Sequence, residues 1–454
     1  MIFGATDTTN GHELWTSDGT TSGTYMLKDI NPTGDSSPYW FFVWNGRVYF
    51  GATGPTGWEP WSTDGTAAGT TQLAEINPAG DSHVRQFTDF NGELWFTAED
   101  NANGHELWKT DGTTAGTVMV ADLWASGAST PHDLTVIGSH MYFAAEDGNG
   151  RELWRTDGSV AGTIQLGDLY PGATGSNPTY LADAGGLLVF AADDATAGTE
   201  LWRSDGTVAG TYLLLDIAVG AAPSFPALTT TLGAMVLFVC DDGVNGSQLW
   251  QTDGTVAGTV MTKLINPTGA AQPHQLALAG GYVWFAATDG VHGTELWRSD
   301  GTPAGTGMIK DINSGASGSH PDYVTEVNSI VWFGASGDNH TKEVWRSDGT
   351  SAGTWLAADI SPDGGSNPFW FTLLGSHVYT FASDYAILGT NHGQELWQVS
   401  VNAKGAKVGK TSVDEELKDA LGCCSGRSDA PILLLLLLAM ACSARLLTRQ
   451  ESTT

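Results

Sequence analysis

The chain has 454 residues, 19 basic against 50 acidic, and a net charge of −31. A field of that sign repels nucleic acid and anionic membrane surfaces, which excludes both as partners. Four cysteines, only Cys240 of them before position 423, exclude a disulfide framework, and 59 glycines leave little sequence suited to long helices.

From the first residue the chain repeats itself. Met1-Ile2-Phe3 matches Val48-Tyr49-Phe50, and the phrase GHELWTSDGTTSGTYMLKDIN at Gly11–Asn31 returns as GHELWKTDGTTAGTVMVADL at Gly104 and GTELWRSDGTPAGTGMIKDIN at Gly293. The Trp of the phrase stands at Trp15, Trp61, Trp108, Trp154, Trp202, Trp250, Trp297, Trp345 and Trp397. Its turn Asp stands at Asp18, Asp64, Asp111, Asp157, Asp205, Asp253, Asp300 and Asp348. A period of about 47 residues suits propeller blades or helical repeats of the HEAT type. Each repeat decides between them. In Pro131–Leu169, short apolar and aromatic runs alternate with polar positions, and Gly, Asp, Asn and Ser punctuate them. That is strand chemistry with turns.

Four strands per repeat are expected: a (HDLTVIG), b (HMYFAA), c (RELWRT) and d (GTIQLGDL) in that example. The chain opens inside a b strand and stops after a c strand, so the expected inventory is 8 a, 9 b, 9 c and 8 d. The fold class is all-β, a β-propeller of four-stranded antiparallel blades, with eight blades expected and nine or seven as alternatives. The propeller spans residues 1–400.

The strand-c Trp and the strand-b aromatic (Phe3, Phe50, Phe96, Phe143, Phe190, Phe238, Phe285, Phe333, Phe381) are expected to pack between successive sheets. Asp-Gly of the DGT segment closes the turn between c and d. Nine equal tryptophans and eight equal aspartates read as scaffold, since a reacting group would be unique.

The phrase E-L-W-x-x-D-G-T resembles the ELWxxDGT repeat family of bacterial secreted and surface proteins, also called hyalin-like. Departures are few: Pro60 replaces Leu, Gln248 replaces Glu, Val344 replaces Leu, and the ninth copy lacks DGT. The resemblance implies an extracellular or surface repeat protein and supplies no catalytic site.

Acidic b–c loops such as Glu146–Gly150, Glu99–Gly104 and Asp241–Gly246 gather oxygen donors. Ca²⁺ takes six to eight such oxygens, so Asp147, Asn149, Asp241, Asp242 and Asn245 are the candidate metal residues. They fall short of the D-x-[DN]-x-[DN]-G pattern, and plain turn capping is the competing reading. No other cofactor is expected.

The composition changes near Val401. Residues 401–421 form a polar linker, and residues 422–454 carry Cys423-Cys424, the run Pro431–Ala444 and two arginines. Uncharged Ala430–Ala444 spans about 22 Å as a helix, short of the roughly 30 Å of a bilayer core. The tail resembles the MYXO-CTERM sorting signal of myxobacterial surface proteins, which implies Cys423 or Cys424 as the processed and anchored residue. The rival is a GPI signal. Both place the propeller outside the cell, with membrane contact only through that anchor. The start inside a repeat, with no export signal, reads as a chain truncated at its N-terminus.

Quinone-dependent propeller dehydrogenases need an adjacent Cys pair near the cofactor, which the tail position of Cys423-Cys424 does not offer. The turn at Ser17–Thr20 loosely resembles that of sialidase-like propellers, which need three arginines on one carboxylate. Arg155, Arg203, Arg298 and Arg346 follow the repeat Trp and are structural by symmetry, leaving Arg47, Arg85 and Arg151 outside the pattern. The expectation is therefore no enzyme, but a non-catalytic cell-surface scaffold for adhesion to a protein or glycan, with a Ca²⁺-dependent carbohydrate-binding propeller as alternative. Its function is sought where symmetry breaks: Trp40–Trp44, Val84–Phe87, Trp124–Thr130, Ala218–Phe225 and Ser383–Gly393, with Trp40, Trp44, Trp124 and Trp370 as candidate exposed aromatics for a glycan or partner protein, core or rim packing being the favoured reading of each.

Overall fold

A computed structural model describes residues 1–18, 20, 22–220, 222–361, 364–374, 377–383, 394–400 and 406–407. The linker and tail, with Cys423 and Cys424, and the segment 384–393 lie outside these residues, apart from a two-residue strand at Ala406–Lys407.

The described residues form nine sheets and no helix. The first sheet has strands b, c and d (Ile2–Asp7, Gly11–Thr16, Tyr25–Lys28) and the last has a, b and c (Phe369–Leu374, His377–Ser383, Gln394–Ser400). The seven between run a-b-c-d in sequence order with antiparallel neighbours; one adds Ala406–Lys407 in parallel outside Trp355–Asp359. These are β-propeller blades, nine sheets among the described residues where eight blades were expected and nine was an alternative, and the 8 a, 9 b, 9 c and 8 d strands match the inventory read from the repeats.

The chain divides into two compact units. The first holds Met1–Leu181 with Gly206–Val208, the second Ala182–Asp205 and the described residues from Ala209 on. In the first, strands a of successive sheets (Tyr39–Trp44, Arg85–Phe90, His132–Ile137) lie side by side. In the second, Ala227–Leu232, His274–Ala279, Asp322–Val327 and Phe369–Leu374 do the same.

Core side chains interleave between successive sheets. Trp44, Tyr49, Ile76, Phe87, Leu94 and Phe96 form one such cluster, Leu237, Leu249, Val283, Phe285 and Trp297 another. Seven of the strand-b phenylalanines are fully buried, and each faces the repeat Trp of strand c, as Phe143 faces Trp154 and Phe285 faces Trp297. Each ring buries about 150–250 Å², which at about 25 cal/mol per Å² stabilises each sheet by several kcal/mol. Trp15, Trp202, Trp297, Trp345 and Trp397 are buried, and Trp108, Trp154 and Trp250 partly so. The last sheet departs from the expected alignment. There Thr380, not Phe381, stands opposite Trp397, because the strand reads HVYTF where earlier ones read HMYFA.

The DGT segment closes as expected. Asp300 Oδ1 accepts from Thr302 N at 2.8 Å and Thr302 Oγ1 at 2.7 Å, and Thr302 Oγ1 accepts from Gly305 N at 2.9 Å. The same bonds recur at Asp18, Asp64, Asp111, Asp253 and Asp348, and with Ser159 in place of Thr at Asp157. The second Gly is required for space: a Cβ on Gly305 would overlap the Asp300 carboxylate, and one on Gly210 that of Asp205.

Candidate functional site

The repeated polar residues are consumed by the frame. The strand-c glutamate is buried, and both its oxygens accept hydrogen bonds. In one repeat Glu295 Oε2 takes Ile312 N at 3.0 Å and Ser319 Oγ at 2.7 Å, while Oε1 takes Asn313 N at 3.2 Å. It thereby latches the d-to-a loop onto strand c, satisfying backbone groups that burial would otherwise orphan. Glu13, Glu59, Glu106, Glu152, Glu200 and Glu343 repeat the latch. Burial pushes the Glu59 and Glu343 carboxyls up to about 7, against hydrogen bonds that pull them down.

Symmetry breaks at one layer of each of the eight sheets that have a strand a, where that strand begins. Its second residue is a bulge: Tyr39 pairs with Gly51 and Phe42 with Tyr49, so two residues face Phe50 alone. The bulged residue is left-handed and never glycine: Trp40 (φ 59°), Gln86 (56°), Asp133 (60°), Tyr180 (56°), Leu228 (55°), Gln275 (58°), Tyr323 (52°) and Trp370 (58°). The loop residue three before it is left-handed too: Ser37, His83, Thr130, Asn177, Phe225, Gln272, His320 and Asn367, with φ of 41–49°. Bulky side chains rarely occupy this region, and each costs about 1–3 kcal/mol. Bulges re-aim side chains beside functional sites. The most divergent columns of the repeat coincide with the strained ones.

The first residue of strand a and the residue before Glu-Leu-Trp in strand c share this layer, and in two sheets they are matched to each other. Tyr39 stacks on Trp58 with centroids 6.1 Å apart and planes at 16°. Lys342 Nζ donates to Asp322 Oδ2. The strand-b residue between them shrinks to fit. A Cβ on Gly51 would lie 2.5 Å from Trp58 Nε1, and one on Gly334 2.7 Å from Asp322 Oδ1.

In the first compact unit the layer is aromatic, then basic. His12 meets Tyr39 edge-on at 6.2 Å, Trp40 is 37% exposed, and His83, Arg85, His105, His132 and Arg151 follow. His105 Nε2 lies 2.9 Å from Thr97 Oγ1; burial first, then Arg85 and His83, push its pKa down to about 4, so the ring is neutral at pH 7. In the second, Phe225 is 63% exposed, Tyr323 packs on Phe369 at 5.8 Å, and Trp370 is 39% exposed. Burial raises the Asp322 carboxyl, Lys342 and His274 opposing. Asp322 Oδ1 is buried without a hydrogen-bond partner.

Of the aromatics singled out in the sequence, Trp40 and Trp370 are on this layer, Trp44 is in the core, and Trp124 packs over Gly127 and Gly148. The calcium candidates cap their own turns. Asp147 Oδ1 takes Asn149 N, Asp241 Oδ1 takes Gly243 N, and Asp242 takes Val244 N, Asn245 N and Asn245 Nδ2. Among the described residues no three His, Cys, Asp or Glu side chains gather as a metal site. The matched pairs were missed in the sequence. Comparing the repeats column by column, at the places after Pro and before Glu-Leu-Trp, would have exposed them.

No protein-family model matches this chain, and no curated protein does. Among solved structures it is similar to a puromycin hydrolase at 14% identity and TM-score 0.37, covering 82% of this chain and 61% of that one. A puromycin-hydrolyzing peptidase of Mycobacterium tuberculosis gives 12%, 0.41, 87% and 62%, and oligopeptidase B of Leishmania major 11%, 0.40, 78% and 53%. The chain thus spans roughly half to three fifths of their length. The expectation of a non-catalytic adhesion scaffold that is no enzyme is corrected by these neighbours, which are hydrolases and peptidases. At such identities the likeness is one of fold, and no reacting residue passes from them to this chain.

Proposed function

We propose that this chain is a ligand-receiving propeller and that the divergent strand-a layer of each compact unit is its receiving surface. One observation carries the reading: divergence between repeats and left-handed backbone strain fall on the same residues, while conserved side chains are consumed by latches, turns and packing. Exposed aromatic groups (Trp40, Phe225, Tyr323, Trp370) beside the basic ones suit short peptides as the first ligand class. The test is a screen of capped and free tripeptides by tryptophan fluorescence, with hydrolysis followed in the same samples. Trp40→Ala and Tyr323→Ala are expected to weaken binding or turnover at least tenfold without lowering Tm by more than a few degrees. Unchanged binding and turnover in both variants overturns the reading.

The repeat phrase and the tail support a second, separate proposal, that the protein is exported and held at the cell surface through Cys423 or Cys424. Replacing both with Ser is expected to move the protein from the membrane fraction to the medium.

A further inference from the structure

Three arginines stand outside the repeat pattern, and the structure separates them. Arg47 belongs to the frame: its Nη2 donates to Ser62 Oγ at 3.0 Å and to Gly69 O at 2.7 Å. Arg85 opens a strand a and is exposed, and among the described residues its guanidinium makes no hydrogen bond or ion pair. Arg151 Nη2 donates to Thr130 Oγ1 at 2.7 Å, and its Nε is buried without an acceptor.

Backbone bonds tie these groups into one row within the first compact unit. Ser82 N donates to Trp58 O at 2.7 Å, which seats His83–Arg85 beside Trp58. A Cβ on Gly51 would touch Trp58 and Val84 together. Arg85 is near enough to His105 to lower its pKa. Thr130 N donates to His105 O at 2.9 Å, and Arg151 reaches that same Thr130. The row therefore reads Tyr39, Trp58, Arg85, His105, Thr130, Arg151. Acids beside the row have partners of their own: Glu99 lies 3.3 Å from His83, Asp133 3.8 Å from His132, and Asp81 Oδ1 accepts from Trp58 N at 2.7 Å. Trp58 Nε1 is a further buried donor without an acceptor.

Arg47 is held by the frame, Arg155 and Arg203 by hydrogen bonds to His140 and Gly254 O, and Arg298 and Arg346 lie over aromatic rings, whereas the Arg85 guanidinium is exposed and Arg151 is held through Thr130. We propose that this row binds a carboxylate-bearing ligand, with Arg85 and Arg151 gripping the carboxylate and the Tyr39–Trp58 stack supporting an adjoining planar group. Guanidinium forks match carboxylates in charge and geometry, and the flat indole-phenol surface suits a peptide ring or a sugar face. The inference rests on the receiving-surface reading and names its ligand class.

The test titrates the full chain with three probes: N-acetyl-Ala-Phe as the free acid, its C-terminal amide, and trigalacturonate. The free acid or trigalacturonate is expected to bind, which tells peptide from acidic sugar, and the amide at least tenfold more weakly than the acid. Arg85→Ala and Arg151→Ala are each expected to cost about 10- to 100-fold, with Arg85→Lys recovering part. Arg47→Ala is expected to lower Tm and leave affinity unchanged. Equal affinity for acid and amide overturns the proposal, as does binding of neither acid or indifference to Arg85→Ala and Arg151→Ala. If those arginine variants bind normally while Tyr323→Ala loses tripeptides, the receiving surface stands and its anionic row falls. If no variant of the layer changes any binding, both readings fall.

Discussion

Glu295 and Gln248 occupy the same place in different repeats, and the contrast between them explains the latch. Gln248 keeps the acceptor role through Oε1, which takes Ile265 N at 3.1 Å, but its Nε2 donates to Gly269 O at 2.9 Å and Asn245 O at 3.0 Å. The serine hydroxyl that donates to the glutamate elsewhere would face an N–H₂ here, and this repeat carries Ala271 in its place. The strand-d acid is gone as well, replaced by Leu264, where five latch glutamates feel an acid such as Asp29 or Asp311. Three substitutions thus change together. Glu295→Gln alone is expected to cost about 1–3 kcal/mol by setting donor against donor. Adding Ser319→Ala is expected to recover part of it, measured as a double-mutant cycle in urea. Strict additivity would contradict the latch.

The same carboxyls set a pH dependence. Those of Glu59 and Glu343, ordinarily 4.5, are raised to about 7 by burial. A raised acid contributes stability that is complete below pH 4.5 and lost as pH climbs through 7. The turn aspartates are lowered, with the threonine hydroxyl and amide as main cause, so their contribution is present above 3.8 and fades only in stronger acid. Tm is therefore expected to rise between pH 8 and pH 5, and less steeply in Glu343→Gln. A Tm that falls over that interval would refute the assignment.

Strands and turns were largely legible in the sequence because period-two patterning and Asp-Gly turns act over a few residues. What stayed hidden was the bulge. Nothing in Tyr39–Trp44 or Asp322–Val327 announces that a Trp or Tyr will take positive φ, a conformation that local propensity opposes. It is enforced by the loop, latched to one strand c, and by Phe50 or its equivalents across the ladder. The second glycine of the turn was legible as a glycine position, but its reason is steric, from the Asp carboxylate beneath it. Gly305→Ala is expected to destabilise by about 1–3 kcal/mol through overpacking, and Asp300→Gly to restore space at the expense of the turn. Chemical denaturation of the single and double variants checks this. An undiminished Gly305→Ala would show the turn can move.

Across the whole molecule, charge opposes folding. A net charge of −31, most of it in turns, latches and strand ends, repels itself in the folded chain. Raising NaCl from 10 to 150 mM shortens the Debye length from about 30 to about 8 Å. Tm is expected to rise over that range, while affinity for a carboxylate ligand falls. A salt-independent Tm would mean the charges are compensated locally. By itself the sequence determined the sheets, their number of strands, the packing role of Trp and Phe, and the structural role of the turn aspartates, because repetition encodes the same local physics each time. Only the tertiary structure decided which unrepeated residues meet. Tyr39 with Trp58, Asp322 with Lys342, Arg85 with His105, and Arg151 with Thr130 are brought together by register and by the latching of one sheet to the next, over separations that no local pattern records.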